Sequence, residues 1–287
     1  MARDPISERI VLPDGLNARM LYWPGAEGAE TALVIHHGLG EHAGRYQAYA
    51  DHLPESLPIV AYDVRGHGET DGARGVVRGL TQLTNDLHGV LPTLLRRTGA
   101  SQAILFGHSM GAAAVGHYLT THEVHDLVRY VWLSAVPAAV EMDFVRRLQR
   151  GAARLLDGLT PDVTLATNLQ SDGISSVPAE IERYQQDPLI HDRASVALGR
   201  SLFDDPPRLL ERGHLLTRPI AMWHGAEDPI ASAKGTRLLF EKVGASDKAM
   251  NIFENARHEV HHETEAIVAE LMGWLRDWLS SHGAVAN

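Results

Sequence analysis

The pentapeptide Gly107-His108-Ser109-Met110-Gly111 constrains this chain more than any other feature. It follows the short apolar run Ala103–Phe106 (AILF) and precedes the small-residue stretch Ala112–Leu119. A strand, a tight turn and a helix are thereby implied in close succession. The two glycines allow a turn that a Cβ would obstruct. Ser109 is pushed to the tip of that turn, at a helix N-terminus where amides and the helix dipole favour developing negative charge. A serine N-cap flanked by glycines would leave the same five letters, but the strand–turn–helix context argues for a nucleophile.

Around this unit, strand-like and helix-like segments alternate. Arg9–Leu12 and Ala18–Trp23 read as two strands joined by the turn Pro13-Asp14-Gly15. Thr31–His36, Ile59–Asp63, Ala103–Phe106, Leu127–Leu133, Pro219–Trp223 and Ala249–Phe253 read as further strands, short and apolar with loops after them. Leu80–Arg97 sets Leu83, Leu87, Leu91 and Leu94/Leu95 on one helical face, and Glu263–Ser280 does the same with Ile267, Leu271, Leu275 and Leu279. This order predicts an α/β chain with a mostly parallel central sheet and helices on both faces. The alternation breaks over 137–216, where the pattern is helical with irregular joints and no convincing strand. So long an insert is read as a helical cap, with 1–136 and 217–287 forming the core.

An activated serine needs a base, and the base needs a carboxylate to orient it. For this kind of turn the chain order is serine, acid, histidine. After the strand Pro219–Trp223 comes His224-Gly225-Ala226-Glu227-Asp228-Pro229, which offers Asp228 with Glu227 as its rival. After Ala249–Phe253 comes Glu254-Asn255-Ala256-Arg257-His258, which places His258 in the turn before the last helix. The oxyanion formed on attack needs two backbone donors. Met110 N–H, just after the nucleophile, is one. Leu39 N–H, in the loop His37-Gly38-Leu39-Gly40, is the other.

Two competing patterns occur. Gly38-Leu39-Gly40-Glu41-His42-Ala43 fits a dinucleotide fingerprint, with Asp63 ending a strand about 20 residues on. That would make the chain an NAD-dependent oxidoreductase, but Glu41 would stand where pyrophosphate should bind, and two strands precede the unit. His258-Glu259-Val260-His261-His262 fits the zinc pattern H-E-x-x-H. A zinc hydrolase would use His258 and His262 on one helix face with Glu259 as base. The extension with a glycine and a third histidine is missing: Glu265 and Val268 stand there. No metal and no cofactor is therefore expected.

Composition narrows the classes further. The 287 residues contain no cysteine, which removes disulfides, thiol nucleophiles and cysteine metal sites. Lys and Arg number 26 against 36 Asp and Glu, a net charge of −10 that disfavours nucleic acid. The 17 histidines could reverse that sign in acid. No run approaches the roughly 18 apolar residues of a membrane span, and the N-terminus lacks a signal-like apolar stretch. A cytoplasmic location is expected.

Longer motifs carry a family resemblance. His36-His37-Gly38-Leu39-Gly40-Glu41-His42-Ala43-Gly44-Arg45-Tyr46 resembles the H-G-x-G-E-H-x-x-R-Y signature of monoacylglycerol lipases and related lysophospholipases. Asp63-Val64-Arg65-Gly66-His67-Gly68-Glu69-Thr70-Asp71-Gly72 is similar to their D-x-R-G-H-G-x-S-x-G segment, with Thr70 for the usual serine. Tyr184-Gln185-Gln186-Asp187-Pro188-Leu189 resembles their Y-x-x-D-P-L. The resemblance runs from about residue 8 to 280. It implies an α/β-hydrolase fold with a lid, a Ser109/Asp228/His258 triad, and ester hydrolysis of a monoacylglycerol or lysophospholipid. A general carboxylesterase or thioesterase of the same fold would share these features. The resemblance also implies a polar substrate pocket at Glu41, Arg45, His108, Tyr184 and His261. Each has a plainer reading: a surface i,i+4 pair for Glu41 and Arg45, packing beside the turn for His108, a lid core residue for Tyr184, a solvated position for His261.

Phe144, Val145, Leu148, Ala152, Leu155, Leu156 and Leu159 recur at helical spacing, opposite Arg146, Arg147, Arg150 and Arg154. This reads either as a lid helix with solvated arginines or as a face for peripheral contact with a membrane or micelle.

Overall fold

The structure, a computed structural model, describes residues 3–123, 126–139, 158–167 and 169–284. Among the described residues ten strands are formed: β1 Ile6–Val11, β2 Asn17–Trp23, β3 Thr31–His36, β4 Ile59–Tyr62, β5 Gln102–His108, β6 Val128–Ser134, β7 Thr164–Ala166, β8 Arg193–Ser195, β9 Ile220–Gly225 and β10 Lys248–Phe253. Eight of them make one sheet in the order β1-β2-β4-β3-β5-β6-β9-β10. β1 and β2 pair antiparallel, as do β2 and β4, and every other neighbouring pair is parallel.

Side-chain alternation explains why the central strands are apolar throughout. Val34, Val60 and Leu105 point to one face, and Leu33, Ile35, Ile59 and Phe106 to the other. Both faces are covered, so β3 has no solvent-facing register and all six of its residues are buried. Full burial of each such side chain contributes about 1.5–3 kcal/mol.

On the first face lie α2 (Leu80–Thr98), α3 (Met110–Thr121), α5 (Val196–Arg212) and α6 (Ala233–Lys242). On the second lie α1 (Gln47–His52) and α7 (Glu265–Ser281). The predicted apolar face of α2 is buried, and Gly99 ends that helix in the left-handed conformation at φ 76°. α4 (Pro178–Gln186) buries none of its residues.

The stretch between β6 and β9 differs from expectation in one respect. β7 and β8 form a two-stranded antiparallel ribbon where the sequence suggests no strand. Each strand is three residues long, too short for a period of two to register, and Arg193 ties them by donating to Thr164 Oγ1 and Thr164 O. α5 buries Leu198 and Leu209 in the same apolar cluster as α2 and α3. The basic-apolar segment 144–159 lies outside the described residues except for Gly158 and Leu159, which form a turn where Leu159 is exposed. Among the described residues, no helix is long and apolar enough to cross a membrane.

Candidate active site

The parallel strands β3, β5, β9 and β10 end on one edge of the sheet, where ligands of such sheets gather. Ser109 lies between β5 and α3 with φ 54° and ψ −119°, a backbone region a serine rarely occupies. Its own N–H donates to Ser134 O (2.9 Å), and its carbonyl accepts from Ala113 N (3.1 Å). The flanking glycines make the turn possible. A Cβ on Gly107 would sit 2.4 Å from Gly111 O, and one on Gly111 would sit 2.1 Å from His36 O.

The predicted acid and base meet across the next two loops. Asp228 Oδ2 accepts from His258 Nδ1 at 2.6 Å, and the carboxylate side chain is fully shielded from solvent. Its Oδ1 accepts from the amides of Ile230 (2.7 Å) and Ala231 (2.9 Å). Glu227, the rival acid, is exposed. Burial disfavours the Asp228 charge, but His258 and the donor His224 outweigh it and hold the carboxyl well below its ordinary range. Burial also opposes a charge on His258. Asp228, and beyond it Glu259 and Glu41, reverse that and raise the proton affinity of the imidazole above its ordinary value.

Ser109 and His258 line one cavity of about 150 Å³ among the described residues, together with Leu39 and Met110. Met110 is the first residue of α3, so its amide has no acceptor within the helix. The Gly38 amide is already committed to Glu41 Oε1 at 2.5 Å, which leaves Leu39 as the next amide in that loop. Leu39, Met110, Pro137, Ile174, Leu202 and Ile230 make much of the cavity apolar; Glu41, His108, Tyr184 and Glu259 make another part polar.

The polar part is an ion network. Glu41 Oε1 also accepts from Tyr46 OH (2.8 Å), while Oε2 lies 3.4 Å from Arg45 Nε. Arg45 Nη2 donates to Glu259, and its guanidinium sits 4.8 Å above the Tyr184 ring. Two buried carboxylates thus share one guanidinium. Burial and the Glu259 charge push Glu41 up, whereas direct bonding to Arg45 and His262 keeps Glu259 well below its ordinary value despite burial. His108 is buried and reaches Ser134 Oγ with Nδ1 (3.2 Å). His261 is buried, stacked on Tyr46 at 5.3 Å, and both its ring nitrogens lack a partner among the described residues. Burial holds both histidines neutral.

Of the five pocket residues the resemblance implies, Glu41, His108 and Tyr184 line the cavity; Arg45 and His261 stand behind them. The surface-pair reading of Glu41 and Arg45 does not hold, because both are buried. Nor is His261 solvated, and Tyr184 belongs to a helix without a buried residue.

Neither competing pattern finds its geometry. His258 lies in the bend ahead of a short 3₁₀ turn at Val260–His262, so it and His262 do not share a helix face. Glu259, His261 and His262 do place potential ligand atoms within 4.8 Å of one another. That cluster already holds a cation, Arg45, whose Nη2 is bonded to Glu259 and lies 3.2 Å from His262 Nδ1. As for a dinucleotide, the Glu41 carboxylate occupies the Gly38 amide. Asp63 is spent on Arg19 and on the amides of Ala43 and Glu69.

Several supporting contacts escape sequence reasoning. His258 N donates to Gly173 O (3.3 Å) and Glu259 N to Ile174 O (2.8 Å), a short backbone ladder under the histidine loop. Glu263 accepts from Arg257 N (2.7 Å) and Ser176 N (3.0 Å). His42 pairs with Asp187 of the Y-x-x-D-P-L motif at 2.8 Å, and His191 N donates to Gly40 O (3.0 Å). Apart from the Arg257–Glu263 bond, these join side chains and backbones far apart in sequence, and no local pattern announces them.

Comparison with known proteins bears on the chemistry. The family described as "Serine aminopeptidase, S33" (Hydrolase_4) matches residues 27–265. The monoglyceride lipase of Rattus norvegicus is 28% identical over 284 residues, covering 97% of this chain and 91% of that protein. The crystal structure of a monoacylglycerol lipase from Paleococcus ferrophilus superimposes with a TM-score of 0.80 at 29% identity, covering 93% of this chain and 99% of that one. A longer protein of Dictyostelium discoideum, an uncharacterized abhydrolase domain-containing protein, is 28% identical over 261 residues, and this chain spans 27% of its length.

Proposed function

Because the chain belongs to the serine aminopeptidase S33 family of α/β-hydrolases and is therefore a serine hydrolase, we propose that it cleaves the ester of a monoacylglycerol or lysophospholipid. The observation that carries this reading is the Asp228–His258 contact of 2.6 Å, with His258 lining the same cavity as Ser109 and the polar residues Glu41, His108 and Tyr184.

In the proposed mechanism Ser109 Oγ attacks the ester carbonyl while His258 Nε2 takes its proton. Asp228 keeps the other imidazole proton on Nδ1 and stabilises the imidazolium. The amides of Leu39 and Met110 stabilise the oxyanion. His258 returns the proton to the leaving alcohol, then activates water to release the fatty acid from Ser109. Apolar walls suit the acyl chain. Glu41, His108 and Tyr184, backed by Arg45 and His261, suit the hydroxyls of the leaving alcohol: Glu41 Oε2, held by the 3.4 Å ion pair with Arg45 and by no hydrogen bond, would gain a donor there. The insert 137–216 serves as the cap, rooted in the core through α5. Segment 144–159, with the exposed side chains of Val163 and Leu165 that follow it in the chain, suits contact with a lipid surface.

A hydrolysis panel of monoacylglycerols, lysophospholipids, short esters and thioesters tests the assignment, with a fluorophosphonate probe reporting on Ser109. Labelled Ser109 with preferred cleavage of a monoacylglycerol or lysophospholipid is expected. Equal or better turnover of short esters or thioesters would replace the lipid assignment with a general carboxylesterase or thioesterase. Vesicle binding that survives R146E/R150E unchanged would remove the surface contact.

A further inference from the structure

Asp228 is held by a second imidazole. His224, on β9, is fully buried, and its Nε2 lies 2.9 Å from Asp228 Oδ2 and 2.8 Å from Ala231 O. Both neighbours are acceptors, so Nε2 must carry a proton; a bare nitrogen there would face two oxygen lone pairs. The other ring nitrogen, Nδ1, lies 2.6 Å from Thr236 Oγ1. That hydroxyl accepts from Val136 N (3.2 Å), which leaves its own proton to donate to His224 Nδ1. The pattern is a directed relay: Val136 N–H to Thr236, Thr236 O–H to His224, His224 N–H to Asp228. It ends on the same oxygen that receives His258 Nδ1–H.

The local fold makes the relay possible. α6 begins just after the Asp228 loop and presses on the segment after β6 through Gly235, where a Cβ would lie 2.7 Å from Ala139 N. This close approach sets Thr236 between Val136 and His224.

We propose that His224, fixed in its Nε2–H tautomer by Thr236, is a positioning residue that holds Asp228 Oδ2 in line with His258 and moderates the carboxylate's pull on the His258 proton. The proposal rests on the Ser109/Asp228/His258 reading. An oxygen that accepts from two imidazoles gives less to each. With one donor removed, the remaining His258–Asp228 bond strengthens, the imidazolium is favoured, and the base surrenders its proton only at higher pH. The groups facing His258 are Asp228, Glu259 and Glu41, with the His108 ring at 4.9 Å; those acting on Asp228 are His258 and His224. His224 touches none of Glu41, Glu259 and His108 through the hydrogen bonds described, so its removal acts through Asp228.

The experiment is the pH profile of kcat/KM on p-nitrophenyl butyrate for the wild type, H224L, H224Q, T236V and T236S. H224L should move the acidic limb to higher pH by about one unit and lower the plateau roughly tenfold. H224Q, whose amide N–H can replace Nε2–H, should bring the limb back. T236V should move it in the same direction by less, and T236S should match wild type. A limb unmoved in both H224L and T236V overturns the proposal, even if rates fall, because packing damage alone does not retitrate the base. Should H224L fail to fold, the T236V and T236S pair decides by the same criterion. Fluorophosphonate labelling separates the underlying reading: an unlabelled wild-type Ser109 refutes the triad, whereas a labelled wild type with an unmoved limb refutes only the role of His224.

Discussion

Replacing Asp228 by Asn removes one charge and changes almost no volume, so its effect can be worked out donor by donor. Four N–H groups converge on the carboxylate: the amides of Ile230 and Ala231 on Oδ1, the imidazoles of His258 and His224 on Oδ2. A carboxylate can accept all four. An asparagine has one oxygen, and it must face the two backbone amides, which cannot turn away. Its NH₂ then faces both imidazoles. His224 is held by Thr236, so His258 is the ring that must change. It moves its proton to Nε2 and accepts with Nδ1. The nitrogen that should receive the Ser109 proton is then already protonated. In a Ser-His-Asp protease the same tautomer change costs about 10⁴ in kcat, equivalent to roughly 5 kcal/mol of transition-state stabilisation. D228N should therefore lose about four orders of magnitude in kcat on p-nitrophenyl butyrate at neutral pH, with a melting transition still present and KM little changed. E227Q, altering an exposed neighbour, should behave as wild type. If D228N kept kcat within tenfold, or if E227Q were the damaged variant, the assignment of the acid and the tautomer argument would both be wrong.

Other expectations follow from single contacts. S109A should abolish fluorophosphonate labelling and lower kcat by several orders of magnitude without shifting the thermal transition downward; a nearly active S109A enzyme would refute the nucleophile. G111A places a methyl 2.1 Å from His36 O, so it should yield little folded protein, read by circular dichroism; a fully folded variant would contradict the close approach. E41A strips acceptors from Gly38 N and Tyr46 OH and should cost about 1–3 kcal/mol in urea unfolding, with kcat/KM reduced as the Leu39 loop loosens. The buried histidines set the response to acid. Burial lowers His36 to about 4, and lowers His37, His67, His108 and His261 well below their ordinary value. Unfolded histidines bind protons from about pH 6.5 downward while these do not, so stability is present above that pH and is lost as pH falls toward their folded values. His258, raised instead, works in the opposite sense: its contribution is complete below about pH 6.5 and fades as pH rises through its folded value. Five against one, the net expectation is a urea midpoint clearly lower at pH 5 than at pH 7.5; equal midpoints would refute it.

Much of the sheet could be read from the sequence because burial on both faces writes itself as continuous apolar runs. TALVIH is recognisable for that reason, and β3 begins and ends where the run does. The same logic brings out Ser109, since only glycine fits at Gly107 and Gly111, and it places Asp228 and His258 at strand ends. What stayed hidden is the part held together by contacts distant in sequence. The ribbon of β7 and β8 is too short to show alternation. Glu41 looks like half of a surface pair until the chain brings Glu259, more than two hundred residues on, to the same guanidinium. His224 reads as the first residue of the loop after the strand Pro219–Trp223, and nothing local shows that its ring will meet Asp228 on one side and Thr236 on the other.

The backbone ladder between Gly173–Ile174 and His258–Glu259 bears on how this protein can be recombined with its relatives. A designer who grafts a foreign segment between β6 and β9 to change the leaving group also replaces the carbonyls on which the histidine loop rests. Chimeras joined outside that ladder will exchange two things at once: the shape of the chamber and the footing of the imidazole. Junctions that retain residues 171–176 together with the native 257–263 loop keep the footing constant, and so allow the chamber to be varied by itself.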